Sequence, residues 1–125
     1  MRLRMELFVD DMDAAIAFYT EVLGFRPGRR EADYAVVRRG HVVLGLGPAS
    51  KLTWPAPGTV KGAGVEIVLE LDDVAEVAAL HEHCAARVAG VEPLRSQPWG
   101  LADFRLRDPD GYYWRITHGN AGATE

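Results

Sequence analysis

Hydrophobic and polar positions alternate along four stretches of the chain, residues 3–9, 65–71, 103–107 and 113–117. A period of two predicts β-strands, each with one apolar and one polar face. The apolar faces are expected to cover helices, because two further stretches repeat apolar residues at helical spacing. The opposite faces are then polar and carry charged side chains: Arg4, Glu6, Glu66, Glu70, Arg105 and Arg115.

Two Asp pairs mark the starts of two predicted helices. The stretch "LFVDDMDAAIAFY" (7–19) is similar to "LELDDVAEVAALH" (69–81), and in both a strand pattern leads into Asp-Asp and then into a helical pattern. An Asp carboxylate accepts hydrogen bonds from the free amides of a first helical turn. We expect helices from Met12 to about Leu23 and from about Val74 to Ala89, each followed by a glycine, Gly24 or Gly90.

Each predicted helix is followed by strand-rich sequence with a glycine-bearing turn, at Arg39-Gly40 in the first half and at Pro109-Asp110-Gly111 in the second. Such turns between β-rich stretches indicate hairpins. Each half therefore predicts a strand, a helix and two or three further strands. We expect one α+β domain over residues 1–120, built from modules of about 1–58 and 62–118 around a pseudo-twofold axis, with a tail at 119–125.

Composition narrows the class of protein. The chain has 125 residues, of which 48% are hydrophobic and 26% charged, as in ordinary globular domains. A net charge of −4 without a basic stripe disfavours nucleic-acid binding. No apolar stretch approaches the roughly 18 residues of a membrane span, and the single Cys84 excludes an internal disulfide. We therefore expect a cytoplasmic protein that binds neither nucleic acid nor membrane.

The polar face of the predicted sheet has two explanations, a solvated surface or the wall of a pocket in which the charges pair. The remaining motifs do not decide between these two explanations and indicate no catalytic site. "DPDG" at 108–111 is a pair of carboxylates, but Pro, Asp and Gly in this order are typical of a turn. Neither Ser50 nor Ser96 has a neighbouring His, and the four histidines have no metal-binding spacing.

Two long motifs carry a resemblance to a known family. "LFVDDMDAAIAFYTEVLGF" (7–25) resembles the first βα unit of the vicinal oxygen chelate superfamily, which contains glyoxalase I, extradiol dioxygenases and bleomycin-resistance proteins. "QPWGLADFRLRDPDGYYWRI" (97–116) resembles its closing segment, and the QPWG and LRDPDG elements are closest to the bleomycin-resistance branch. The resemblance implies paired βαβββ modules that form a curled mixed sheet around a concave cleft, with helices on the outer face, commonly in a homodimer with pockets at the interface.

The resemblance also implies where a divalent metal would bind in metal-dependent members. Four strand positions hold it there, and they correspond to Arg4, about Gly45, Glu66 and Arg115 in this sequence. Only Glu66 offers a ligand, because Arg has no free lone pair at neutral pH and Gly has no side chain. A catalytic metal needs about three protein ligands. We expect no metal and no other cofactor, and an ionic cluster in which Arg4 and Arg115 flank Glu66.

The function implied by the bleomycin-resistance branch is sequestration of an aromatic or conjugated antibiotic of bleomycin, mitomycin, phenazine or enediyne type, which protects the host. The alternatives are a metal-dependent lyase, isomerase or dioxygenase of glyoxalase type, and an accessory protein that binds a biosynthetic intermediate. Trp99 would stack on the ligand, or else cover a sheet edge or dimer interface. Trp54 would close over the cleft, or else anchor its loop. The predicted ligand-binding residues are Trp99, Trp54, Tyr34, Phe8, Arg4, Glu66, Arg105, Tyr113 and Arg115.

Overall fold

The two Asp pairs begin the two helices, as predicted. In the structure, a computed structural model that describes residues 1–53 and 59–119, Asp11 Oδ1 accepts a hydrogen bond of 3.0 Å from the amide of Ala14. Asp73 Oδ1 accepts one of 2.9 Å from the amide of Glu76. Each carboxylate thereby satisfies an amide that has no partner within its helix.

The chain forms two compact units, Met1–Lys61 and Gly62–Glu125. The elements of the first are β1 (Met5–Val9), α1 (Met12–Ala17), a π-helical turn (Phe18–Val22), β2 (Arg26–Glu31), β3 (Tyr34–Arg39), β4 (Val42–Pro48) and a 3₁₀ turn (Ala49–Lys51). The strands form one sheet in the order β1-β4-β3-β2, in which β1 runs parallel to β4 and the other neighbours are antiparallel. A helix connects β1 to β2 and packs against β3 and β4.

The second unit repeats this topology. Its elements are β5 (Glu66–Leu71), α2 (Val74–Ala85), β6 (Arg95–Ser96), β7 (Ala102–Arg107) and β8 (Tyr113–His118). Its sheet has the order β5-β8-β7-β6, with β5 parallel to β8, and its helix packs against β5, β7 and β8. The predicted α+β class and the two βαβββ modules are therefore confirmed. The cleft between the modules stays a prediction.

The helix ends differ from the prediction in one case. The first helical segment reaches Val22 as expected, although its second half is a π-helix, and Gly24 follows it with a φ of +74°. The second helix ends at Ala85, four residues earlier than predicted. Its last carbonyls are already satisfied, because the Cys84 oxygen accepts the amides of both Arg87 and Val88. No left-handed residue is then needed immediately after the helix.

One face of each sheet forms the core beneath its helix, and the opposite face carries the polar side chains. The predicted alternation is found in β1, where Leu7 and Val9 are buried and Glu6 is exposed. Within residues 1–53 and 59–119, no helix combines the length and apolar character needed to cross a membrane. The buried hydrophobic residues of the strands are Leu7, Val9, Ala35, Val36, Val37, Leu44 and Leu46 in the first unit, and Leu69, Leu71, Ala102, Phe104, Leu106, Trp114 and Ile116 in the second.

Candidate functional site

A phenol–carboxylate pair lies on the polar face of the first sheet. The Tyr34 hydroxyl, at the start of β3, donates to Glu6 on β1 and lies 2.9 Å from each of its carboxylate oxygens. Strand β4 runs between β1 and β3, and its buried Gly45 is the register partner of both Glu6 and Val36. A Cβ at position 45 would come within 1.5 Å of Glu6 Oε2. The pair therefore requires glycine on the middle strand.

The charge of Glu6 is compensated on its exposed side. Arg4 Nη2 lies 3.2 Å from Glu6 Oε1, and both side chains are about half exposed. Partial burial, and then the hydrogen bond to Glu6, raises the pKa of Tyr34 above its ordinary value. Tyr34 is therefore a neutral donor at physiological pH. Of the predicted site residues, Arg4 and Tyr34 meet through Glu6, which the prediction placed on the polar face without a role.

A pocket of about 210 Å³ opens beside this pair. Phe8 and Pro48 give it apolar walls, and Tyr34 adds an aromatic one. A salt bridge between Lys51 Nζ and Asp33 Oδ2 adds two charged groups to the lining. The hydrogen bond from Lys51 lowers the pKa of Asp33, which favours its ionised form. The lining residues are Glu6, Leu7, Phe8, Asp33, Tyr34, Gly47, Pro48 and Lys51.

The chemistry of this first-unit pocket suits a small flat group. Apolar and aromatic walls with a few polar atoms that fix orientation are typical of small-molecule sites. The prediction included Tyr34 and Phe8, and both line the pocket. It missed Lys51, in the 3₁₀ turn after β4, and Asp33, in the loop between β2 and β3. No local sequence pattern indicates that these two segments meet.

An ionic cluster lies on the polar face of the second sheet. Arg105 Nε donates to Glu66 Oε2 at 2.9 Å. Arg115 Nε lies 3.1 Å from Glu66 Oε1, within ion-pair distance but not aligned for a hydrogen bond. The two arginines are register partners on β7 and β8, and the bond to Glu66 raises the pKa of Arg105 above its already high value. We call Glu66, Arg105 and Arg115 the Glu66 cluster.

The cluster partly matches the predicted arrangement. Arg115 does flank Glu66, and Arg105 supplies the second guanidinium. Arg4 lies in the other unit, where it pairs with Glu6, and its predicted approach to Glu66 stays a prediction.

A buried carboxylate that the prediction did not name adjoins the Glu66 cluster. Asp103 on β7 is only 1% exposed. Its Oδ1 accepts a 2.8 Å hydrogen bond from Gln97 Nε2 and lies 3.9 Å from Arg105 Nη1. Its Oδ2 lies 4.0 Å from Arg115 Nη1 and has no hydrogen-bond partner among residues 1–53 and 59–119. Strand parity with Arg105 indicated the face on which Asp103 lies, but not its burial.

Two of the remaining predicted residues, Tyr113 and Trp99, belong to the second unit. Tyr113 is the register partner of Glu66, and its hydroxyl donates to Glu92 Oε2 at 3.2 Å. Partial burial and that bond raise the pKa of Tyr113. Trp99 is 58% exposed in the turn between β6 and β7. Trp54 lies outside the described residues.

The four positions that the resemblance assigns to a family metal do not fit a metal ion. Arg4 and Arg115 have no lone pair to donate, and Gly45 has no side chain. Glu66, the one carboxylate, already carries two guanidinium groups. Within residues 1–53 and 59–119, no three His, Cys, Asp or Glu side chains are grouped as metal ligands. The donor set at these positions is that of an ion pair.

Comparison with known proteins agrees with this architecture. A family model described as Glyoxalase/Bleomycin resistance protein/Dioxygenase superfamily matches residues 3–116. Among curated proteins, none matches the chain in sequence. A solved lactoylglutathione lyase from Agrobacterium tumefaciens is 23% identical, with a TM-score of 0.78, and the match covers 99% of this chain and 98% of that one.

Two further solved structures are similar along nearly their whole length. TioX from Micromonospora sp. ML1 is 24% identical, with a TM-score of 0.71 and coverage of 99% of this chain and 100% of that one. A bleomycin-binding protein complexed with bleomycin is 25% identical, with a TM-score of 0.67 and coverage of 96% and 99%. TioX and the lyase, both below 25% identity, support the fold alone.

Proposed function

The chain belongs to the Glyoxalase/Bleomycin resistance protein/Dioxygenase superfamily, and from this premise we propose that it binds and sequesters an aromatic or conjugated antibiotic without a metal ion. The observation that carries the proposal is the pairing of Arg115 with Glu66. The guanidinium of Arg115 lies at a position to which the resemblance assigns a metal ligand, and it pairs with Glu66, the only carboxylate among the four such positions. A side chain that cannot ligate a metal, paired with the only one that can, supports binding rather than metal-assisted chemistry.

The first-unit pocket supports a flat ligand group. Phe8 and Tyr34 offer aromatic surface, and Glu6 with Tyr34 offers hydrogen-bonding atoms beside it. A pocket of about 210 Å³ takes one ring system rather than a whole large antibiotic. The other proposed ligand-binding residues are Trp99, Trp54, Arg4, Glu66, Arg105, Tyr113 and Arg115.

The similar bleomycin-binding protein, which was solved with bleomycin bound, supports a small-molecule ligand in this part of the superfamily. The similarity to the lactoylglutathione lyase does not favour the enzymatic alternative, because at 23% identity it reflects a shared fold. An enzyme of that type would need metal ligands at other positions of this chain.

The proposal is tested by tryptophan fluorescence during titration with bleomycin, a mitomycin, a phenazine and an enediyne, all in the presence of a chelator. We expect saturable, submicromolar quenching by one scaffold, with the compound recovered at unchanged mass. A Trp99→Phe variant controls for quenching that does not arise at the site. Binding that appears only after a divalent metal replaces the chelator, or recovery of an altered compound, would favour the enzyme.

Two properties of the proposed binder need their own measurements. We propose a homodimer, which sedimentation equilibrium tests by giving twice the mass of the chain. We also propose that the protein acts in the cytoplasm as a resistance factor. Expression in a drug-sensitive host should then raise tolerance to the scaffold that binds. Unchanged tolerance despite tight binding would instead indicate an accessory role in biosynthesis.

A further inference from the structure

We propose that Asp103 is a positioning residue, which acts through Gln97 to hold the turn that bears Trp99 against the Glu66 cluster. The inference rests on the proposed function, because it concerns residues that are proposed to contact the ligand. It adds two side chains, Asp103 and Gln97, that do not themselves stack on the ligand or pair with Glu66.

The carboxylate of Asp103 is buried. A carboxylate that is 1% exposed must be compensated by nearby donors, because an isolated buried charge is costly. The two guanidinium groups that face it, at 3.9 and 4.0 Å, lie beyond hydrogen-bonding distance. Among residues 1–53 and 59–119, the side-chain hydrogen bond that Asp103 does accept comes from Gln97, at 2.8 Å. Breaking that bond leaves both carboxylate oxygens without a direct donor.

Gln97 closes the turn that bears Trp99. Its amide donates to the Leu101 oxygen at 2.7 Å, and its own carbonyl accepts the amide of Gly100 at 3.0 Å. The turn of residues 97–101, which we call the Trp99 turn, is therefore closed through Gln97. Trp99 lies near its tip, 58% exposed, and Gly100 takes a φ of +90° that favours glycine. The Gln97 side chain is thus the link from this closed turn to the buried carboxylate of β7.

Asp103 connects this turn to the Glu66 cluster. Asp103 binds Gln97 through Oδ1, and its Oδ2 faces Arg115. Arg115 and Arg105 both pair with Glu66. A continuous set of contacts therefore runs from the Trp99 turn through Gln97 and Asp103 to the charged side chains of the sheet. The proposed stacking group and the proposed charged groups are held as one surface, so less ordering is required when a ligand binds.

The test measures the motion of Trp99 in the ligand-free protein, by time-resolved fluorescence anisotropy. A Trp54→Phe background leaves Trp99 and the buried Trp114, and adding Trp99→Phe gives the Trp114 baseline for subtraction. Gln97→Met keeps the length of the side chain and removes its donor. We expect the amplitude of the fast Trp99 decay to rise about twofold. Ser96→Ala, an exposed neighbour on β6, should leave it unchanged.

Two substitutions at Asp103 separate positioning from a general structural role. Asp103→Asn keeps an oxygen that accepts from Gln97 and should leave the Trp99 decay as in the parent protein. Asp103→Leu removes the acceptor and should reproduce the effect of Gln97→Met. If Gln97→Met leaves the decay unchanged in a folded protein, or if Asp103→Asn loosens Trp99 as much as Asp103→Leu does, the positioning role is wrong. Should the leucine variant not fold, the contrast between Gln97→Met and Asp103→Asn still decides.

This experiment is independent of ligand binding. A loosened Trp99 in Gln97→Met, together with no antibiotic that binds, would retain the positioning role and overturn the proposed function. An unchanged Trp99 together with tight antibiotic binding would do the reverse.

Discussion

The hydroxyl of Tyr34 lies 2.9 Å from both carboxylate oxygens of Glu6, in the space that a side chain at position 45 would need. The two residues are on strands that do not pair with each other, and β4 separates them. Glycine at position 45 lets the long side chains of both neighbouring strands meet above the middle strand. The same pair forms one side of the first-unit pocket. Position 45 therefore controls both the stability of the pair and the shape of the pocket.

Gly45→Ala should displace the Glu6–Tyr34 pair. The added methyl group would lie 1.5 Å from Glu6 Oε2 and 2.3 Å from the Tyr34 hydroxyl, so both side-chain ends must move. Because those ends are flexible, the expected cost is that of the lost hydrogen bonds, about 1–2 kcal/mol in the free energy of unfolding. Urea denaturation measures it.

Gly47→Ala is the matched control for that variant. Gly47 is on the same strand, two residues further, and a Cβ there would have no heavy atom within 4 Å. Its unfolding free energy should stay within about 0.5 kcal/mol of the parent protein. Equal losses in the two variants would mean that the cost comes from the strand backbone and not from the Glu6–Tyr34 pair.

Two tyrosines should titrate above the ordinary phenol pKa, each because of its own burial and its own glutamate. Burial raises the pKa of Tyr34 and Tyr113 first, and the bonds to Glu6 and Glu92 raise it further. Their stabilising contribution is therefore complete below the ordinary pKa of 10.0 and is lost as pH rises through the raised values. Glu6→Gln should lower the pKa of Tyr34 and leave that of Tyr113 unchanged. Glu92→Gln should lower the pKa of Tyr113 and leave that of Tyr34 unchanged.

Ultraviolet absorbance of tyrosinate follows these titrations, and Tyr34→Phe and Tyr113→Phe assign each transition. A Glu6→Gln variant in which Tyr34 titrates as before would show that the 2.9 Å contacts do not persist in solution.

Local features of this fold could be predicted from the sequence because they depend on neighbouring residues. Asp11 and Asp73 cap helices through amides three residues away. The turn at Gly111 forms because the Asp108 side chain accepts the amides of Asp110 and Tyr112, within four residues. Strand parity likewise placed Glu66 and Arg115 on the polar face. The predicted end of α2 was wrong, because the amides of Arg87 and Val88 donate to the Cys84 oxygen and end the helix early.

The site itself depends on strand register, which the sequence pattern does not contain. Glu6 and Tyr34 are 28 residues apart, and their meeting depends on the pairing of both strands with β4. Asp103 has the parity of an exposed position, and it is buried where Gln97 returns over the strand. Pairings over such separations follow from the assembled sheet, so a one-residue shift in register would have given different partners.

Trp99 should matter to binding and little to stability. Its side chain is 58% exposed, so Trp99→Ala should change the unfolding free energy by no more than about 0.5 kcal/mol. Loss of stacking should raise the dissociation constant of the bound antibiotic about two- to tenfold. Trp99→Phe, which keeps a smaller ring, should lose less. If Trp99→Ala leaves affinity unchanged and shifts the dimer toward monomer in sedimentation, the tryptophan covers an interface instead.

The pairing of Arg115 with Asp103 should appear as a coupling energy in unfolding. Arg115→Met removes the guanidinium that faces Asp103 Oδ2 at 4.0 Å, and it leaves a carboxylate that is 1% exposed with less compensation. We expect a loss of about 1–3 kcal/mol, since a buried charge that loses a partner is costly. Asp103→Asn removes that charge and keeps an acceptor for Gln97. In the Arg115→Met background it should therefore cost less than it does alone.

The four proteins of this cycle, compared by urea denaturation, should give a coupling of about 1 kcal/mol. Glu66 provides the internal check, because its 2.9 Å hydrogen bond from Arg105 does not involve Arg115. The loss in Arg115→Met then belongs mainly to Asp103, and the cycle of Arg115→Met with Glu66→Gln should show a smaller coupling than the Asp103 cycle, because Glu66 is more exposed. If the Asp103 cycle is additive and the Glu66 cycle is not, Arg115 serves the exposed carboxylate, and the buried one is stabilised by Gln97 and Arg105 alone.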